Sequence, residues 1–238
     1  EQALNSSERT IGEIVADDYR TARIFESHNI DFCCGGHVSL AVACDEKKID
    51  FASILNELEA VKKEPLERAK NYASWELPFL ADYIINIHHA YLKENMSKVA
   101  AYTQKIADVH GALHPEVKEI SKIFAQVENS LTIHMLEGEE EILFPAIKRA
   151  AGARKAGSKP SSKDRKTIKN SVLSLSHEHQ EIGDAIHKIR HLARDYAIPA
   201  DVCNTFVLTY QKLKEFEDDL HQHVHLENNI LFLQVTQL

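Results

Sequence analysis

The chain has 238 residues, 44% of them hydrophobic, and a formal net charge of −8. This is enough apolar material for a core in one or two domains, the acidity argues against nucleic acid as a partner, and no apolar run approaches the ~20 residues that span a bilayer. Four cysteines without paired spacing make no disulfide framework and point to a reducing cytoplasm, whereas fourteen histidines are more than a bland solvated domain needs.

With only eight glycines and six prolines, helical periodicity dominates and no run of strands stands out. Residues 1–63 read as a small helical domain. It has short helices over Thr10–Ala16 and Asp18–His28, then a turn over 29–40 in which Gly35 and Gly36 take positive φ. A further helix, Asp50–Lys63, has Asp50 as its N-cap. The charged residues 64–78 read as a linker. Residues 79–238 hold four long amphipathic segments, roughly Leu80–His110, Pro115–Ala150, Lys166–Tyr196 and Pro199–Gln234, with Pro115 and Pro199 in first helical turns. The connection at 150–166 is rich in Gly, Ser and Lys and reads as mobile. Four such helices, joined mostly by short loops, predict an all-α, up-down-up-down four-helix bundle.

The stretch EFEDDLHQHVHLENNILF, residues 215–232, carries His221, His223 and His225 at alternate positions. Its flanks nevertheless define a helix. Leu213, Phe216, Leu220, His223, Glu227 and Ile230 are spaced 3, 4, 3, 4 and 3, which is the inward seam of a bundle helix. His223 and Glu227 therefore stand where apolar residues belong, a costly choice unless both are paired or hold a metal. The first helix places His89 on a seam with Ile85, Leu92, Met96 and Val99, ahead of His88, whose face turns polar at Glu94 and Asn95. The third aligns His179 with Val172, Leu175, Ile182 and Ile186, leaving His177 and His187 off the seam. The second leads through Ile120, Ile123 and Val127 to His134. Each helix thus brings one histidine inward, and separate explanations for all of them are harder to sustain than one shared site. The off-seam histidines are expected on the solvated surface.

The second helix breaks the pattern. The residue four after His134 is Gly138, and Glu139 follows at i+5. A helix absorbs one extra residue as a π-bulge, which Gly138 would ease. This selects Glu139 as the inward carboxylate, with Glu137 and Glu140 as the weaker alternatives and Glu137 and Glu141 read as an exposed face. Four histidines and two carboxylates inside a bundle suit a pair of octahedral irons rather than a tetrahedral zinc. With both carboxylates and an oxo or hydroxo group bridging two non-haem Fe ions, each metal has five ligands and one open position, suited to NO or O2. Glu178, beside His179, is a candidate for orienting an imidazole or delivering protons.

The segments DFCCGG (31–36), HMLEGEEEILFP (134–145), SHEHQEIG (176–183) and HVHLENNILF (223–232) occur in an order that covers nearly the whole chain. Together they resemble the YtfE/ScdA-type family of proteins for repair of iron centres. The resemblance implies a haemerythrin-like bundle with a non-haem di-iron centre, behind a short N-terminal domain that carries vicinal cysteines. It implies His89, His134, Glu139, His179, His223 and Glu227 as ligands. It also implies repair of iron–sulfur clusters damaged by nitric oxide or oxidants, through iron donation or reduction of NO to nitrous oxide. Damaged iron–sulfur proteins and an electron donor would be partners, and a homodimer is compatible with it. Reversible O2 or NO binding or sensing is the competing function, but open positions on both irons and the cysteine pair favour chemistry. Cys33 and Cys34 are adjacent, which disfavours a relaxed disulfide between them. Placed before Gly35 and Gly36, they read as thiolates held by backbone N–H groups, able to accept electrons, carry iron or act on a nitrosyl. Cys44 and Cys203 read as core residues.

Overall fold

The computed structural model describes residues 8–62 and 71–237, so the linker expected at 64–78 lies partly outside the described residues. The chain is helical. Among the described residues the only strand-like pairing is a single bridge between Thr10 and Ser39, and no helix is long and apolar enough to cross a membrane. Contacts divide the chain into two units, Glu1–Leu80 with His221–Gln237, and Ala81–Leu220.

In the first unit, α1 (Ile11–Asp17) starts at a capping box. The Thr10 side chain accepts from the Glu13 N–H while the Glu13 carboxylate accepts from the Thr10 N–H, satisfying two donors that an uncapped end would leave open. A 3₁₀ turn, Tyr19–Thr21, leads into α2 (Ala22–Ser27). The next helix, α3 (Leu40–Lys47), is capped by Ser39 and stopped by Lys48 in the left-handed region. It was not expected, because its eight residues are too few to establish a period. The helix α4 (Phe51–Lys62) has the Asp50 cap that the sequence suggests, with Asp50 Oδ2 accepting from the Ser53 N–H at 2.8 Å. Ile11, Val15, Phe25, Phe32, Leu40 and Ile54 are buried here. The C-terminal segment belongs to the same unit. The Gln222 amide donates to the Tyr72 hydroxyl at 3.1 Å and the Gln234 amide to the Ala73 carbonyl at 3.0 Å.

The four long helices are the expected ones with shifted ends. The first comprises α5 (Leu77–Tyr83), a π-helical turn (Ile84–His89) and α6 (Ala90–His110). The second comprises α7 (Glu116–Ile133), a π-helical segment (His134–Leu143) and α8 (Phe144–Lys155). The third is α9 (Ser162–Leu192), capped by Ser161. The fourth is α10 (Asn204–Leu226), followed by a π-helical turn (Glu227–Leu231) and α11 (Phe232–Val235). Pro199 does not begin the fourth helix, and the third does not reach Tyr196. Arg194, Asp195 and Tyr196 have φ of 50°, 55° and 60°, a left-handed run that ends any right-handed helix.

Within Ala81–Leu220, α6 packs on α7, and α9 packs on α7, α8 and the π segment between them. Phe124 of α7 meets Phe216 of α10 edge-on at 5.0 Å, a geometry that aromatic quadrupoles favour. Glu217 of α10 is fully buried. It accepts from Arg190 Nε at 2.9 Å and from the Tyr196 hydroxyl at 2.8 Å, which offsets the cost of its burial and ties the left-handed turn to the last helix.

Candidate metal centre

In Ala81–Leu220 three long helices bring His89, His134, Glu139 and His179 together, and all four are buried. The π-helical segment sets the position of Glu139. The Phe144 N–H bonds to the Glu139 carbonyl, the i→i+5 closure that widens a helical turn by one residue. Glu139 is thereby buried while Glu137 and Glu141 are exposed. Gly138 lies within this π-helical segment, and a Cβ there would lie 2.8 Å from the Leu175 Cδ2 side-chain tip on α9. Two further π-helical turns, at Ile84–His89 and Glu227–Leu231, also carry candidate ligands. They were not anticipated, since no inserted residue or glycine marks them in the sequence.

Hydrogen bonds fix the ring orientations. His89 Nδ1 lies 2.7 Å from Glu140 Oε1, which also accepts from Lys93 Nζ at 2.6 Å. His134 Nδ1 lies 2.8 Å from Glu178 Oε2, and Ser174 donates to the other Glu178 oxygen at 3.0 Å. An ionised carboxylate only accepts, so both imidazoles donate from Nδ1 and, when neutral, aim an Nε2 lone pair inward. Burial works to raise the Glu140 carboxyl, but the Lys93 and His89 donors outweigh it and hold it below the usual range. The His134 N–H does the same for Glu178 against the effect of burial. Phe144 stacks on His89, with ring centroids 5.9 Å apart and an interplanar angle of 17°.

What these lone pairs face identifies the ligand class. His89 Nε2 lies 3.1 Å from Glu139 Oε2, and His134 Nε2 lies 3.1 Å from Glu139 Oε1. His179 Nε2 is 2.9 Å from His134 Nε2 and 3.9 Å from Glu139 Oε1. His134, Glu139 and His179 each offer a ligand atom within 4.8 Å of the others. Neither Glu139 oxygen takes a hydrogen bond among the described residues. A fully buried carboxylate ringed by nitrogen lone pairs is unfavourable alone, and protonating both His134 and His179 would set two cations within 2.9 Å of each other. A bound cation removes both conflicts. The N-and-O donor set, with carboxylates behind the imidazoles, suits a first-row transition metal, iron among them.

The unit Glu1–Leu80 with His221–Gln237 holds the other two sequence candidates. His223 Nε2 lies 3.2 Å from Glu227 Oε1, one turn apart on the last helix, and both are buried. His225, expected on the surface, is fully buried. Burial takes its pKa down to about 3, so the ring is neutral, and its Nδ1 accepts from the Asn229 amide at 3.0 Å. The second hydrogen of that amide goes to the Phe32 carbonyl at 3.0 Å, and the Tyr19 and Phe32 rings sit 5.7 Å from His225. His88 is a second correction. It is buried in the bundle unit, 3.0 Å from Asp219 Oδ1.

The cysteine turn departs from its expected state. Cys33 and Cys34 are both buried, and Asp31 Oδ1 accepts from the Cys33 N–H at 2.9 Å, the Cys34 N–H at 3.0 Å and Cys33 Sγ at 3.1 Å. The backbone N–H groups thus serve a carboxylate instead of a thiolate. The Cys34 side chain, burial and the Asp31 charge together push the Cys33 thiol well above its ordinary value, so Cys33 rests as a thiol. Asp31, Cys33 and Cys34 still present ligand atoms within 4.8 Å of one another. Gly35 and Gly36 are not in the positive-φ region. Gly36 is required because a Cβ would lie 2.6 Å from the Phe32 carbonyl and 2.9 Å from Asn229. Cys44 is buried as expected, whereas Cys203 is exposed.

Family comparisons agree with this geometry. Residues 80–235 match the hemerythrin HHE cation binding domain, and residues 7–62 match ScdA_N, a domain of unknown function. The chain is therefore a haemerythrin-type helical protein with an N-terminal ScdA_N domain. The iron-sulfur cluster repair protein ScdA of Staphylococcus epidermidis is 32% identical, over 97% of this chain and 99% of its own. ScdA of Staphylococcus haemolyticus is 31% identical over 95% and 97%, and the iron-sulfur cluster repair protein YtfE of Shigella boydii 30% identical over 94% and 95%. The chain belongs to the ScdA/YtfE family.

Proposed function

We propose that the protein repairs damaged iron–sulfur clusters, using two non-haem irons held in the bundle. The observation that carries this reading is Glu139. It is a buried carboxylate without a hydrogen-bond donor among the described residues, faced by imidazole nitrogens whose other ring atoms are anchored. The full ligand set proposed is His89, His134, Glu139, His179, His223 and Glu227. Its support for joining the last two to the first four is that one cation-binding domain match, residues 80–235, includes them all. These six residues would hold the iron pair, with an oxo or hydroxo group as a further ligand.

When bound, such a pair supplies open coordination positions and one-electron chemistry suited to NO or O2, or iron for transfer. The residues themselves orient and protect. Glu140 and Glu178 hold the His89 and His134 rings with Nε2 inward, and Phe144 keeps the His89 face apolar. The Glu178 side chain is 39% exposed, so a proton can pass between solvent and the carboxylate that accepts from His134 Nδ1. Partners under this proposal are damaged iron–sulfur proteins and an electron donor. The test is to incubate the iron-loaded protein with a nitrosylated iron–sulfur enzyme and follow recovery of its cluster absorbance. Recovery that His134→Ala abolishes supports repair through this site. Recovery that survives the loss of iron contradicts it.

A further inference from the structure

The bundle end formed by the close of α6 and the start of α10 holds a second cluster of reactive side chains. Cys203 is exposed, and its Sγ lies 3.1 Å from His110 Nε2. The pair sits one helix length from the His/Glu centre. From His89 to His110 the chain climbs about 30 Å at 1.5 Å per residue. Phe206 braces the imidazole, its ring meeting that of His110 edge-on at 5.3 Å. Around them, His114 Nε2 is 3.2 Å from Asp201 and His114 Nδ1 is 3.4 Å from Glu116.

We propose that Cys203 and His110 form a thiol-modification site that takes small-molecule disulfides. The imidazole accepts the thiol proton and stays beside the sulfur as its counter-charge. The Thr205 and Phe206 backbone N–H groups at the start of α10 reach the same sulfur, where a helix N-terminus favours negative charge. The His110 hydrogen bond, then the Phe206 N–H, hold the thiol down to about 7. Burial opposes this, and the nearby Asp201 and Glu116 carboxylates pair with His114. The step balances. Cys203 Sγ attacks one sulfur of R–S–S–R, the reagent's S–S bond breaks, and a Cys203–S–S–R bond forms. R–S⁻ leaves and takes the proton from the His110 imidazolium. The cysteine is oxidised, and the reagent is reduced to one thiol.

The other cysteines supply an internal comparison. Cys33, Cys34 and Cys44 are buried, and burial raises Cys33 and Cys44. A thiol with pKa near ambient pH combines a high thiolate fraction with retained nucleophilicity and is the best attacker. The experiment is to treat the full iron-loaded chain with oxidised glutathione across a pH series and measure the adduct rate at each cysteine by peptide mass spectrometry. Cys203 is expected to react at least about tenfold faster than Cys44, with its rate half-maximal near pH 7, where its thiol titrates. His110→Gln should move that midpoint toward the ~8.5 of an ordinary cysteine. Circular dichroism of the variant checks that the bundle is intact, and the parent profile needs no variant. Equal rates at Cys203 and Cys44, or an unchanged midpoint in an intact His110→Gln protein, overturn the proposal.

Discussion

His134 Nδ1 donates to Glu178 Oε2 across 2.8 Å, from the second long helix to the third. The bond fixes the tautomer, so the inward nitrogen that faces Glu139 is the one with the lone pair. Glu140 does the same for His89. The cation-facing atoms are thus oriented by hydrogen bonds that the protein itself supplies.

Glu178→Gln keeps the shape of that contact but replaces an ionised acceptor with a neutral, weaker one. Metal affinity should fall about tenfold with helicity unchanged, measured by competition against a chelator. Equal affinity in parent and variant would mean that His134 needs no anchoring partner.

Glu139→Ala should remove most bound metal, whereas Glu137→Ala and Glu141→Ala, at exposed positions, should leave it in place. Metal content of the three purified variants decides this. A similar loss in all of them would show that the π-helical segment does not select the ligand.

Asn229→Ala removes the amide that bonds both the Phe32 carbonyl and His225. The expected cost is about 1–3 kcal/mol, with faster alkylation of Cys33 and Cys34 as their turn loosens. Alkylation at the parent rate would mean that the turn is held by its Asp31 bonds alone.

Tyr196 gives an alkaline signature. Burial and the neighbouring Glu217 raise its hydroxyl far above the ordinary tyrosine value. The unfolded chain then releases this proton near pH ~10 while the folded chain keeps it, so stability is full below that pH and falls above it. Tyr196→Phe should be less stable near neutrality, through the lost bond to Glu217, and should show a shallower alkaline decline. Parallel pH profiles for parent and variant would count against this assignment.

The long helices were legible because His89, His134, His179 and His223 interrupt apolar seams that otherwise hold a steady 3–4 spacing, and Glu139 because Gly138 marks an extra residue. What was missed depends on residues far apart in the chain. Asn229 and the Phe32 carbonyl it bonds are separated by 197 positions, so neither the burial of His225 nor the reason for Gly36 has a local signal. Cys203 read as core from its residue type, while the left-handed turn at Arg194–Tyr196 delays the last helix to Asn204 and leaves the cysteine at its exposed start. The cysteine turn misled for a related reason. Backbone donors were expected to serve sulfur, but the Asp31 carboxylate, two and three residues earlier, takes them.

The inward histidines and glutamates are proposed to hold a pair of irons. The most direct measurement is iron content and Mössbauer spectroscopy of the purified parent beside His134→Ala and His223→Ala. The account predicts about two high-spin irons per chain with nitrogen and oxygen ligands, and a clear loss in each variant while the helical signal is kept. A parent that binds no iron under iron-replete conditions, or variants that retain the full complement, would contradict it.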